Sequence, residues 1–303
     1  MDKQAIDALL RKIESTEKGD GNPRVKTIVN RIVRDLFLTI EELDIQPEEF
    51  WSAANYLTEA GRSGEYGLIG AGLGFEHFLD LRMDEAEARN GISGGTPRTI
   101  EGPLYVASAP ETLGSARLDQ DPQPGEVLFM QGQVRGADGK PAAGALVEVW
   151  HANHLGGYSF FDASQSAFNL RRTIRTDAEG RYRLRSRVPV GYSVPPGGAT
   201  DTLLKQLGRH GTRPAHIHFF VTAAGHRKLT TQINIEGDPY LWDDFAFATR
   251  DGLVPPMTRV DDPAALRAHE VDAPFYSIDF DFDLHAEKDG LPADQIARAH
   301  FTV

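Results

Sequence analysis

No cysteine occurs in the 303-residue chain, which excludes disulfides, thiolate-held zinc and a cysteine nucleophile. Any metal must therefore be held by His, Tyr, Asp or Glu. Long apolar runs are missing too; none approaches the ~18 residues of a membrane span. Basic residues are outnumbered, 32 Lys and Arg against 44 Asp and Glu, and a net charge of −12 leaves no basic patch for a nucleic-acid backbone. Met1-Asp2-Lys3-Gln4 leads into an amphipathic stretch without the apolar centre of a signal peptide, so a cytoplasmic protein is expected. The remaining composition is ordinary for a globular protein, and the length suits one large domain or a smaller and a larger one.

Residues 1–95 read as helical. Asn22-Pro23 supplies a cap and a proline for the first turn, and Val25, Ile28, Val29, Ile32, Val33, Leu36, Phe37 and Ile40 follow helical spacing. Gln46-Pro47-Glu48-Glu49 opens a second helix carrying Phe50, Trp51 and Tyr56, its acids suited to the helix dipole. A third segment runs through Leu68, Leu73, Phe78 and Leu81 to Arg89, with Gly70, Gly72 and Gly74 inside it. After Gly94-Gly95-Thr96-Pro97 the texture changes to short alternating runs bounded by turn residues. Strands are expected at 127–134, 145–150, 182–186, 216–222, 229–235 and 276–284. The last alternates Ile278, Phe280, Phe282 and Leu284 with Asp279, Asp281 and Asp283. The expectation is α+β by content: a helical linker or dimerisation domain over 1–95, then an all-β sandwich catalytic domain over 96–303.

Within the strand from Arg213 to Val221, His216 and His218 stand two apart, so both imidazoles share one face. Two imidazoles aimed at one spot are half of a metal site, although such a pair taken alone is more often the polar decoration of a strand. Tyr158 follows Gly156-Gly157, and Tyr192 sits in the rigid turn Pro189-Val190-Gly191-Tyr192-Ser193-Val194-Pro195-Pro196. Each tyrosine also fits a core aromatic with a satisfied hydroxyl. His151 and His154 fit structural hydrogen-bonding roles. A non-enzymatic reading, a carbohydrate- or peptide-binding sandwich with a helical dimerisation module, predicts a protein without iron.

The surroundings of Tyr158, Tyr192, His216 and His218 resemble those of the intradiol ring-cleavage dioxygenases, in particular the catechol-cleaving members. The resemblance extends over nearly the whole chain. It includes Gly95-Thr96-Pro97-Arg98-Thr99-Ile100-Glu101-Gly102-Pro103-Leu104-Tyr105, Phe168-Asn169-Leu170-Arg171-Arg172, Leu207-Gly208-Arg209-His210-Gly211 and Asp243-Asp244-Phe245-Ala246-Phe247-Ala248-Thr249-Arg250. It implies one non-haem ferric ion, Fe(3+), per subunit, held by Tyr158, Tyr192, His216 and His218. Ferric iron is a hard Lewis acid suited to phenolate, and its charge must lower a phenol pKa from near 10 before tyrosinate binds. The rival is a ferrous site of two histidines and one carboxylate, but no acid stands beside this pair in the sequence.

By the same resemblance the substrates are catechol and dioxygen and the product is cis,cis-muconate, within aromatic catabolism by the β-ketoadipate route. Tyr192 is then the ligand that leaves the metal and takes a substrate proton, while Arg213 and Gln232 stand near the ring. A structural salt bridge is the plainer reading of Arg213. The substrate-binding positions are Leu68, Ala71, Ile100, Pro103, Leu104, Phe245 and Ala246, which are mainly apolar. Hydroxyquinol- and chlorocatechol-cleaving members are the alternatives. The former differ before the Gly102-Pro103 pair, and the latter are shorter and often carry cysteine near the Ala246 position. A homodimer through the N-terminal helices is implied, with a phospholipid as a possible guest there. The stripe from Val25 to Ile40 fits that interface, and also fits packing on the chain's own β-domain.

Overall fold

A computed structural model describes residues 1–294 and 300–302. Contacts divide it into two units, residues 1–63 and 64–303. The first holds α1 (Lys3–Glu14), α2 (Pro23–Glu42) and α3 (Pro47–Arg62). As the sequence predicts, the Asn22 side chain accepts the N–H groups of Arg24 and Val25, with Pro23 in the first turn. Glu49 likewise accepts the Gln46 N–H at 2.9 Å. Asp7 on α1 pairs with Arg34 on α2 at 3.1 Å. No residue of α2 is buried; Val25, Ile28, Val29, Ile32 and Leu36 are 41–54% exposed in the single chain. Among the described residues, no helix is long and apolar enough to cross a membrane.

The larger unit opens with α4 (Tyr66–Gly72) and α5 (Phe75–Arg89). The single segment expected here is broken at Leu73-Gly74, where Gly74 has φ 81°, a conformation open to glycine and costly for residues with a Cβ. The main strands follow as β1 (Val127–Arg135), β2 (Leu146–His151), β3 (Arg171–Arg175), β4 (Arg181–Arg187), β5 (His216–Thr222), β6 (Leu229–Asn234) and β7 (Phe275–Asp279). One sheet has the order β6-β5-β2-β3 with Glu111–Leu113 on its edge. The other runs Thr258–Val260, β7, β1, β4, Ser115–Arg117. Leu128, Met130, Leu184 and Ile278 of the second sheet meet Val147, Val149, Ile174, Ile217, Phe219 and Ile233 of the first in one buried core. This is the expected sandwich, with mixed rather than purely antiparallel pairing: β7 runs parallel to β1.

Two details depart from the sequence reading. The run 276–284 is not one strand. Phe280 donates its N–H to Gln131 and accepts the Tyr182 hydroxyl at 2.7 Å, and pairing with β1 resumes only at Phe282–Asp283. The alternation survives the break, since Ile278, Phe282 and Leu284 are all buried. Two short helices, α6 (Ala199–Gln206) and α7 (Pro263–Ala268), also interrupt the β segment. The Glu65 carboxylate takes the N–H groups of Ala199 and Thr200, which caps the first turn of α6.

An ion-pair network joins α5 to the sandwich. Buried Glu87 accepts from Arg227 at 2.8 Å and His285 at 3.0 Å and also pairs with Arg98; Asp84 takes Arg98 and Arg250, each at 2.7 Å. Burial alone would raise the Glu87 carboxyl, but the bonds from His285 and Arg98 outweigh it and hold it at about 2. The bond to Glu87 raises His285. The signs are opposite: Glu87 stabilises the fold above the ordinary carboxylate range and loses this as pH falls toward its depressed value. His285 stabilises below its ordinary pKa and loses this as pH rises through its raised one. Glu87→Gln is expected to cost about 3 kcal/mol at neutral pH and to flatten the acid limb of stability between about pH 5 and 2. Denaturant titrations across that range check this, and an unchanged acid limb would contradict it.

Candidate metal centre

Strand parity sets the site. On β5, Ile217, Phe219 and Val221 enter the core, so His216 and His218 project from the opposite face of their sheet, where both are nevertheless buried. In register, His218 lies beside Trp150 of β2 and Gln232 of β6. The Trp150 and His218 rings stack with planes 6° apart and centroids 5.0 Å apart, which fixes the imidazole's orientation. His216 Nδ1 lies 2.6 Å from the Pro214 carbonyl, so that nitrogen carries the proton and Nε2 presents a lone pair. The two Nε2 atoms are 3.0 Å apart. Burial, then the nearby Arg213 charge, pushes His216 down to about 3. Burial, then His216, holds His218 well below its usual value. Both rings are therefore neutral and available as ligands.

Tyr158 arrives on a loop and Tyr192 on a two-residue strand. Gly156 has φ 81°, and a Cβ there would lie 2.8 Å from the Cβ of Tyr192, so only glycine lets these two segments meet. Tyr158, two residues on, places its hydroxyl 3.4 Å from His216 Nε2. Tyr192 pairs with Arg213 in a two-residue ladder. Its ring stands perpendicular to that of Tyr158, with centroids 5.5 Å apart, and lies 5.6 Å from His216. The four residues singled out in the sequence converge.

Two buried guanidiniums flank them. Arg213 places Nη1 3.0 Å from His216 Nε2, donates to Gln232 Oε1 at 2.7 Å and forms an ion pair with Asp244 at 3.2 Å. Asp244 also accepts the N–H groups of Ala246 and Ala248. The salt bridge and the site position are thus both true of Arg213. Arg171 lies 5.7 Å from the Tyr158 ring and donates to the Oγ and carbonyl of Ser159, while its Nη1 has no partner among the described residues. Burial lowers Arg171 to about 10 and holds the Tyr158 phenol well above its usual value. Two imidazole lone pairs and two phenol oxygens fit a hard, highly charged cation, whose charge would offset the burial that keeps Tyr158 protonated. Among the described residues, no cluster of three or more His, Cys, Asp or Glu side chains can hold a metal, so the donor set includes the phenols or is incomplete.

The expected substrate-binding residues fall into two groups. Leu68, Ala71, Ile100, Phe245 and Ala246 share an apolar cluster with Val194 and Leu204, whereas Leu104, like Tyr192, packs on the cluster of Tyr105, Trp150, Tyr158 and Phe220. Pro103 is exposed and belongs to neither. His151 is structural, bonded to Ser186 at 2.6 Å and the Ala152 carbonyl at 2.7 Å. Trp150, Arg171 and Asp244 escaped the sequence reading. Strand pairing could have suggested Trp150, but no spacing signals that Asp244 meets an arginine 31 residues away. Asp244→Ala should cost about 3–5 kcal/mol by leaving the buried Arg213 charge unpaired, and adding Arg213→Met should recover most of it. Unfolding titrations of both variants measure this; equal losses in the two would contradict the pairing.

The chain matches two family patterns, one described as catechol dioxygenase N terminus over residues 22–91 and one described as dioxygenase over residues 100–286. Catechol 1,2-dioxygenase 2 of Acinetobacter lwoffii is 74% identical over 261 residues, covering 86% of this chain and 95% of that protein. The solved structure of wild-type Acinetobacter radioresistens catechol 1,2-dioxygenase is similar with a TM-score of 0.96 at 54% identity, covering 100% of this chain and 99% of that one. A hydroxyquinol 1,2-dioxygenase of Rhizobium is more distant, 35% identical with 87% and 90% covered. The chain belongs to the intradiol ring-cleavage dioxygenase family.

Proposed function

We propose that Tyr158, Tyr192, His216 and His218 hold one ferric ion per subunit, and that the chain cleaves catechol with dioxygen between its two hydroxyl-bearing carbons to give cis,cis-muconate. The convergence of these four donors between two buried guanidiniums carries this reading. Bound there, ferric iron supplies the charge that ionises the phenols and activates the catecholate toward dioxygen.

The residues divide the remaining work. Tyr158 is buried and pinned beside Arg171, whereas Tyr192 is only partly buried on a two-residue ladder. Tyr192 is therefore the phenolate freer to release its position and accept a proton from catechol. His216 and His218, fixed by Pro214 and Trp150, keep theirs. Arg213, aimed by Asp244 and Gln232, opposes negative charge developing on the ring. Leu68, Ala71, Ile100, Leu104, Phe245 and Ala246 supply the apolar surface for a flat ring.

Catechol is favoured over hydroxyquinol and chlorocatechol by the catechol-type run from Pro97 to Leu104 and by the absence of cysteine. The exposed apolar stripe of α2 supports dimerisation through residues 1–95, with a phospholipid as a guest of the same helices, in a cytoplasmic protein. Side-by-side assays should give the highest kcat/KM for catechol with muconate as product; a higher value for hydroxyquinol or a chlorocatechol would install the alternative. Sedimentation should report a dimer that Ile32→Glu with Leu36→Glu converts to monomer, and a wild-type monomer would remove that part of the reading.

A further inference from the structure

We propose that the outer face of the second sheet carries a separate ligand site that takes a small aromatic carboxylate. On β4, Tyr182, Leu184 and Ser186 point inward, so Arg183 and Arg185 point outward. Arg185 lies opposite Phe129 of β1 on one side and Arg117 on the other; Arg183 lies opposite Gln131 and Ser115. His269, which caps α7, closes over Phe129 and Phe275. The three rings contact one another with centroid separations of 4.6, 4.7 and 4.9 Å. Together they bound a cavity of about 660 Å³, within the ~300–1,000 Å³ of small-molecule sites.

Charge makes this more than an apolar hollow. Arg117, Arg185 and Arg187 converge on one buried carboxylate, Asp119, at 3.0, 3.8 and 3.1 Å. Arg185 is too far from it for a hydrogen bond, and its buried Nε has no partner among the described residues. Its guanidinium lies 6.0 Å from the Phe129 ring centroid. Arg183, exposed beside it, has no ion-pair partner among the described residues. Glu270 is the one acid lining the cavity, against Arg117, Arg183 and Arg185. Surplus positive charge beside a ring bowl, in a chain of net charge −12, matches a ligand with one flat apolar body and one carboxylate. The ring would lie on Phe129 and His269, and the carboxylate would accept from the exposed edges of the Arg183 and Arg185 guanidiniums. The site lies on the sheet that does not carry His216 and His218, so the two ligands do not compete.

Benzoate titrated calorimetrically into the iron-loaded enzyme tests this, without oxygen and with catechol saturating the metal centre. One benzoate per subunit is expected. Arg183→Gln with Arg185→Gln should weaken that binding at least tenfold and leave catechol turnover unchanged, since both side chains point away from the sheet that carries His216 and His218. Benzyl alcohol, which lacks the charge, should bind at least tenfold more weakly than benzoate. No benzoate binding in the presence of catechol, or equal affinity in the double variant, overturns the site. Equal affinity for benzyl alcohol overturns the carboxylate assignment. Neither arginine belongs to the candidate metal centre, so failure here leaves the reading of that centre intact.

Discussion

Arg171 and Arg213 are buried beside two phenols, and among the described residues only Arg213 has a carboxylate opposite it. A buried guanidinium without an anion is costly, and a buried phenolate without a cation is equally so. Each would supply what the other lacks if a metal ion bound there ionised the tyrosines, as proposed. Burial and the nearby cation keep protons off the histidine nitrogens that would complete the proposed set. The chemistry assigned to this chain follows from that charge balance.

The fold holds the balance in place by dividing each strand between two duties. On β5 alternate residues fill the sandwich core while the others build the centre. The core therefore fixes the direction of His216 and His218 to the same precision as it fixes Ile217 and Phe219. Tyr158 comes from a loop and Tyr192 from a two-residue strand, and their approach depends on the missing side chain at Gly156. Asp244 serves twice: it aims Arg213, and through the Ala246 and Ala248 amides it pins the loop that carries Phe245. Charge positioning and pocket shape are consequently coupled.

Period-two alternation made most of the sandwich legible in the sequence, and Asn22-Pro23 and Gln46-Pro47 marked two helix starts. The break within 276–284 was not legible, because Phe280 keeps the hydrophobic alternation while its backbone bonds to Gln131 and Tyr182. Nor was the break at Gly74, since a glycine inside a helical pattern reads as tolerance until its φ is known. Tyr158, Tyr192, His216 and His218 were found through their family-like surroundings; their proximity belongs to the fold. Asp244 and Arg171 lay inside matched strings, but their partners are set by tertiary packing, which no local pattern encodes.

The visible absorption spectrum of the iron-loaded protein, wild type against Tyr192→Phe, tests the central claim most directly. Two tyrosinates on ferric iron predict a wine-red protein with a broad charge-transfer band, and loss of one phenolate should shift and weaken that band while iron is retained. A colourless protein containing one iron per subunit, or a band unchanged in the variant, would contradict the assigned ligand set.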